Sequence, residues 1–325
     1  MHFTLLVAGA LLPGELAGVL TASLNLPHLK ARLSRATCIE RTVASDATGA
    51  HFDWLATTLF AQGAPAPTAP YAYAHLTGAA APGFVWHADP VHMEAARDHL
   101  AVTSLADDAP SVTEANALIA TANELALSKG CRLVEIRKRW FLLSDHDWLI
   151  DTRPLSSVNE TTVGLPGGRD ALVWNRLHNE IQMAWHAHDV NTRRETEGRQ
   201  TVNAVWLHGG GRWKPLPPIG FKQVQSDAAE LQGAAQAAGA SIAPASGPMA
   251  DQALVISDDA WDARQRQDWA AWLRAITAVD RLLTEHSKDA IDLIFSGNTI
   301  RIFELRPSDR YKAWRRRTLA QAFSE

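Results

Sequence analysis

Apolar positions change period several times along this chain. Short continuous apolar runs alternate with longer segments in which apolar residues recur every three or four positions. Phe3 to Leu12 is one such run and predicts a buried first strand ending in a turn. "SVTEANALIATANELALSKG" opens on a capping box, Ser111 with Glu114 three residues later. Leu118, Ile119, Ala122, Leu125 and Ala126 then share one helical face, and Gly130 suits the helix end. "CRLVEIRKRWFLLS" follows as strand-like sequence. "ALVWNRLHNEIQMAWHAH" predicts a second long helix whose stripe is Val173, Leu177, Ile181, Ala184, Trp185 and His188.

The last third alternates again. "NAVWLHGGG" and "QALVIS" read as short buried strands, and "SDAAELQGAAQAAG" as a helix between them. "WDARQRQDWAAWLRAITAVDRLLTEH" predicts one long helix burying Trp269, Trp272, Ile276, Val279 and Leu283. "AIDLIFSGNTIRIFEL" predicts a hairpin closed at Ser296-Gly297-Asn298. Pro/Gly/Ala-rich stretches at 62–70, 77–83 and 239–250 read as surface loops. Strands alternating with helices give an α/β fold with a mainly parallel sheet. The middle helices read as a lid or insertion.

Composition narrows the function classes. The 325 residues are 46% hydrophobic with a net charge of −4, an ordinary globular balance without the basic field that nucleic acid requires. Cys38 and Cys131 are the only cysteines, so neither a disulfide framework nor a zinc-knuckle spacing is expected, in keeping with a reducing cytoplasm. Pro13, Gly14 and Glu15 interrupt the first apolar run, and no basic segment precedes it. A signal peptide or membrane span is therefore not expected.

Six stretches carry candidate chemistry. In "WHAHDVNTRRETEGRQTVNAVWLHGGG", His186, His188 and Asp189 suggest a metal. On a helix, however, the two imidazoles diverge by about 200° around the axis. One buried and one exposed histidine is the plainer reading. "HGGGRWK" is open both to close approach of an anion and to an ordinary strand-exit turn. "FVWHADPVHMEA" offers His87, Asp89 and His92, with His87 and Asp89 on one face if extended. This is an acid/base cluster or local anchoring. "DTRPLSS" and "RKRW" bring Arg153 and Arg139 to strand ends, where a guanidinium suits phosphate or carboxylate but also simple solvation. "RYKAWRRR" is basic with interleaved aromatics, suited to an acidic partner or to a helix C-terminal turn. Neither a Gly-x-Ser-x-Gly elbow nor a recognisable cysteine nucleophile is present. The residues alone give an α/β protein with a candidate anion-binding cleft.

The ordered set of motifs adds a resemblance. His188, Val190, Asn191, Arg194, Gly198, Asn203, Leu207, Gly209 and Gly211 fall on the His-Pro-Val-Asn-x-x-Arg-x-x-x-Gly…Asn…Leu-Arg-Gly-x-Gly segment of archaeal-type, cofactor-independent phosphoglycerate mutases. Asp189 replaces the proline and His208 the arginine. The stretch is still more similar to the proteobacterial phosphoglycerate-mutase-related, or RpfE-type regulatory, proteins. "VWHADPVHM" resembles the family's Phe-Arg-x-Asn strand, with His87 for the arginine and Asp89 near the asparagine. "SVTEANALIATANE" and "KRWFLLS" resemble the insertion's helix and Tyr-Arg strand, Arg139 taking the arginine's place. "DTRP" matches Asp-Thr-Asp-Pro with Arg153 for the second aspartate, and "SDAAELQGAAQAAGASI" resembles the helix that resumes the main domain.

The resemblance implies an alkaline-phosphatase-like, mainly parallel sheet with an inserted α+β lid domain. The core would comprise residues 1–95 and 206–325, the lid 96–205. Its members use two divalent metals and a transiently phosphorylated serine, and there this sequence departs. The metal-binding Asp-Gly after the first strand is Ala8-Gly9. Ser257 and Arg266 stand where histidines are expected, Asp262 alone matching. The Asp-His after the last strand is replaced by Arg306-Pro307. The serine segment is not recognisable, Ser45 being only a nearby serine. Hard cations need several such ligands at once. The expectation is a pseudoenzyme-like cytoplasmic protein with no metal and no cofactor, regulatory or small-anion-binding. Its cleft residues would be His87, Arg139, Arg153, His188, Asn191, Arg194 and His208, for a phosphorylated or carboxylated metabolite. A protein partner is open and a membrane is not expected. The competing class is a metal-independent hydrolase or transferase using His87, Asp89 or His188 as acid/base.

Overall fold

The structure is a computed structural model that describes all residues except 23, 43–48, 96–99, 159–165, 313 and 315. Ser45 of the serine segment and two residues of "RYKAWRRR" lie outside the described residues. The strands in chain order are β1 (His2–Val7), β2 (Thr37–Thr42), β3 (Phe84–Ala95), β4 (Leu100–Ser104), β5 (Cys131–Ile136), β6 (Arg139–Ser144), β7 (Ala204–Gly211), β8 (Gln223–Gln225), β9 (Ser241–Ala243), β10 (Ala253–Ser257), β11 (Ala290–Ser296) and β12 (Thr299–Leu305). They form a seven-stranded sheet, ordered β2-β12-β11-β1-β10-β8-β9, and a second sheet of β3 to β7. The pairs β11-β1, β1-β10, β10-β8 and β8-β9 are parallel, and the β11-β12 hairpin and β2 close the sheet antiparallel. All pairs of the second sheet are antiparallel. This is the α/β arrangement expected from the alternation of runs, with a separate α+β part.

The chain divides into two compact units: Met1–Ala64, Leu216–Ala228 and Ala235–Glu325 in the first, Pro65–Pro215 and Ala229–Ala234 in the second. The second unit is larger than the 96–205 insertion expected. The reason is β3, whose twelve residues pair with β7 along one edge and with β6 and β4 along the other. These ladders hold residues 84–95 and 204–211 in the second sheet.

In the first unit, Phe3, Leu5 and Val7 of β1 pack with Leu293 and Phe295 of β11 and with Trp272, Ile276, Val279 and Leu283 of the helix Trp269–Glu285. The expected long helix is two. Gln267 adopts φ 54°, and Asp268 then caps the second helix by accepting from the Ala271 amide at 2.9 Å. The expected strand Phe3 to Leu12 stops at Val7. Gly9, at φ 75°, turns the chain there, and a side chain at Gly9 would stand 2.5 Å from the Trp261 backbone.

In the second unit, Trp140, Trp174, Leu177, Ile181 and Trp185 pack with Leu118 and Ala122 of the helix Val112–Ala126. The capping box of Ser111 and Glu114 is formed as the sequence predicts. The next helix, Ala171–His186, buries Trp174, Leu177, His178, Ile181 and Trp185, while Val173 is 49% exposed. The stripe is therefore one residue off the expected one at its start. The strand-like stretch 131–144 is a hairpin turned at Arg137 (φ 51°) and Lys138 (φ 67°), without the Gly or Asn such a turn usually shows. None of the helices among the described residues is long and apolar enough to cross a membrane.

Candidate functional site

β3 and β7 position an unsaturated polar cluster of the second unit. Residues 87 and 89 share one face of β3 because side chains alternate along a strand. His208 on β7 is the direct partner of His87 and the diagonal neighbour of Asp89. His208 Nε2 lies 2.9 Å from Asp89 Oδ2. The His87 and His208 rings stack, centroids 4.6 Å apart at 22°. His87 also lies against Phe141, 5.4 Å between ring centroids. Apolar groups stand on either side: Val85, Phe141, Ala69 and Ala72 at one end, Val91, Val102 and Trp206 at the other.

The cluster's electrostatics follow from that setting. His87 is 3% exposed. Burial holds its pKa well below the ordinary imidazole value, and the His208 and Arg139 charges add to this against the opposing pull of Asp89. His87 is therefore neutral at physiological pH. Asp89 titrates below the ordinary carboxylate value. Desolvation opposes its ionisation, but the charge and hydrogen bond of His208, with the charges of His87 and Arg139, outweigh it. An ionised Asp89 fixes the facing His208 nitrogen as the one carrying a proton. Two nitrogens remain over: His87 Nε2 and His208 Nδ1 are buried and have no hydrogen-bond partner. Each such orphan forgoes its hydration without compensation; others occur in the chain, at His51 Nδ1 and His178 Nε2 among them, but these two stand on stacked rings. A small ligand or an ordered water that accepts and donates between the two rings would satisfy both.

The three glycines of "HGGG" explain how β7 comes so close. A methyl at Gly209 would stand 2.0 Å from Thr68 Oγ1, at Gly210 2.3 Å from the Trp86 ring, and at Gly211 2.4 Å from Pro67. Gly209 also has φ 61°, at a register shift between Val85 and His87. These glycines are a packing device inside a strand, in place of the anion cradle or strand-exit turn that the sequence left open.

The other expected cleft residues part into two groups. Arg139 begins β6, and its charge is felt by both His87 and Asp89. One of its nitrogens is held by Glu230 at 2.7 Å. Glu230 carried no sequence signal, being distant along the chain. Arg153 is exposed, and among the described residues only its carbonyl is engaged, accepting from Trp206 Nε1 at 2.8 Å.

His188, Asn191 and Arg194 serve the scaffold. His188 does not extend the helix before it. It caps the helix Asp189–Thr196, its Nδ1 accepting from the Val190 amide at 3.1 Å. Asn191, 1% exposed, donates to the Trp185 and Val202 carbonyls at 2.8 and 2.9 Å and accepts from the Val202 amide at 2.9 Å. Arg194 is fully buried, bonding Gln200 O at 2.6 Å and Asp108 Oδ2 at 2.9 Å, with Glu114 at 3.4 Å. Neither Asn191 nor Arg194 has a face for a ligand, which corrects the cleft assignment. His186 is exposed, so the paired-histidine metal idea has no geometry behind it. His92 points to the other face of β3, bonded to Thr201 and Glu94.

In the first unit, the end of β1 is packed shut. The Trp272 indole donates to Gly9 O at 3.0 Å, Gly9 N donates to Ser296 Oγ at 3.3 Å, and Ala8 is fully buried. Asp262 is exposed on the helix Asp259–Gln265. Among the described residues, no group of three or more His, Cys, Asp or Glu is arranged to hold a metal ion.

No protein-family model and no curated protein matches the chain. Solved structures that match it include the PH0037 protein from Pyrococcus horikoshii, with a TM-score of 0.58 and 13% identity over 99% of this chain and 92% of that one. They also include a cofactor-independent phosphoglycerate mutase from Thermoplasma acidophilum DSM 1728, with a TM-score of 0.46 and 14% identity over 99% of this chain and 94% of that one. The likeness to PH0037 is one of fold.

Proposed function

We propose that this chain is a phosphoglycerate-mutase-like protein that has given up metal-assisted phosphoryl transfer and binds a small ligand at His87, Asp89 and His208. The single observation carrying the ligand site is the pair of buried, unpartnered nitrogens on stacked rings. The loss of catalysis rests on the side chains at the end of β1. Neither Ala8 nor Gly9 carries a side-chain ligand atom, and Ala8 is fully buried. Arg139 gives the site a guanidinium for a phosphoryl or carboxyl group, as the resemblance implies for its counterpart. A regulatory role, signalled to a protein partner, is the reading that suits a binding protein on an enzyme's fold.

Metal analysis with a phosphoglycerate mutase assay on the purified protein tests the loss of catalysis. The expected outcome is neither bound metal in stoichiometric amount nor turnover. Manganese or zinc at one or two per chain with measurable mutase activity would overturn it.

A second reading has one observation in its favour. In the neutral tautomer that donates from Nε2 to Asp89, His208 presents a lone pair at Nδ1, the arrangement of an oriented general base. A metal-independent hydrolase would show turnover that disappears in His208→Phe.

A further inference from the structure

Arg310 and Tyr311 of the basic stretch near the C-terminus end the short helix Pro307–Tyr311, with Lys312 at its C-cap. Arg317, further on, caps a different helix, Pro27–Arg35. The Arg317 amide donates to Ser34 O at 3.3 Å. Its guanidinium donates to the Leu33 and Ala36 carbonyls at 3.0 and 3.5 Å, and it lies over the Phe303 ring at 5.3 Å. Phe303 is the cross-strand partner of Cys38 on the sheet's end strand, β2.

This crossing leaves a cavity of about 370 Å³ lined by Ser34, Ala36, Thr37, Cys38, Arg316 and Arg317. No acid lines it. Arg316 is exposed and makes no hydrogen bond or ion pair among the described residues. Arg317 is fixed through Nη1 alone, which leaves Nε and Nη2 of its fork unspent. The helix-end carbonyls would repel an anion, but Arg317 already occupies two of them. Burial pushes the Cys38 thiol up, against the pull of Arg317 and Arg301, so no thiolate competes for the two guanidiniums. The cavity is thus a local reversal of charge in a chain of net charge −4. Its size falls within the range of small-molecule sites.

We propose that this cavity is an oxyanion site for the phosphoryl group of a small phosphorylated molecule. The free fork of Arg316 and the unspent nitrogens of Arg317 supply the donors, and the Ser34 and Thr37 hydroxyls line the remaining wall. Two planar forks around one centre suit a tetrahedral, multiply charged oxyanion better than a single carboxylate.

The test is calorimetric titration of the full chain with inorganic pyrophosphate, beside parallel titrations with citrate and with a short single-stranded oligonucleotide. Saturable pyrophosphate binding is expected, weakened about tenfold or more in Arg316→Gln, as loss of one charge-assisted fork predicts. Arg316 is exposed and makes no hydrogen bond or ion pair among the described residues, so this variant keeps the wild-type melting temperature. His208→Phe binds pyrophosphate as the wild type does, which keeps this site distinct from the β3–β7 cluster. Absence of saturation at millimolar pyrophosphate overturns the assignment, as does wild-type affinity in Arg316→Gln. Citrate binding as tightly as pyrophosphate, or the oligonucleotide binding where pyrophosphate does not, overturns it equally.

Discussion

Two polar clusters of the second unit are equally conspicuous in sequence and opposite in chemistry. Around Arg194 and Asn191, the donors and acceptors meet partners within the protein. Around His87 and His208, two buried nitrogens meet none. The first cluster ties the helix Asp189–Thr196 to the loop after it and to the helix Val112–Ala126. The second contributes little to cohesion, because unpaired buried groups cost stability. Saturation of hydrogen bonding therefore separates scaffold from candidate site where residue type does not.

Removing the keystone of the saturated cluster should give the largest effect. Arg194→Met would leave Asp108 and Glu114 to the half-buried Arg199 alone and strand the Gln200 carbonyl, and a loss of about 3 kcal/mol or more in urea unfolding is expected. Asn191→Leu should follow at about 2–3 kcal/mol, since it strands the Val202 amide and carbonyl. Gly210→Ala would sharpen the packing account of the glycine run. A methyl driven toward the Trp86 ring should cost about 1–3 kcal/mol, with no change beyond that in ligand response.

Acid should act on a third set of groups. His51 and His178 are buried, and burial lowers their pKa values to about 3 and about 4. Their folded values lie below the unfolded 6.5, so below that pH the unfolded chain binds more protons. The stability they leave intact at neutral pH is lost progressively as pH falls from 6.5 toward 4. His178→Leu should flatten this slope in a series of melting temperatures from pH 7 to pH 4.5, and an unchanged slope would remove His178 from the account.

The smallest stability change is expected at the unsaturated cluster. His87→Phe replaces an orphaned ring by an apolar one of similar shape and should stay within about 1 kcal/mol of wild type. A loss as large as that of Arg194→Met would place His87 in the scaffold and end the comparison.

Much of the architecture was legible because periodicity reports burial directly. The Ser111 capping box, the β11-β12 hairpin and the alternation of strands and helices all rest on local chemistry. The β5-β6 turn was hidden because Arg137 and Lys138 adopt a left-handed backbone without the residues that favour it. The break before Trp269 was hidden for the same reason at Gln267. Within the site, the β3 face that joins His87 to Asp89 was readable from strand parity. His208 joined them only through a register set by glycines that no local pattern interprets. The scaffold roles of Asn191 and Arg194 were not readable at all, since their partners at Val202, Asp108 and Glu114 depend on tertiary placement.

The central claim is that the unsaturated cluster holds a ligand. A thermal-shift screen of phosphorylated and carboxylated metabolites, run on wild type and His208→Phe side by side, tests it most directly, because a ligand selective for the native state raises the melting temperature. The account predicts at least one metabolite that stabilises the wild type and leaves His208→Phe unmoved, with no manganese requirement. Equal shifts in both proteins for every metabolite, or none in either, would contradict it.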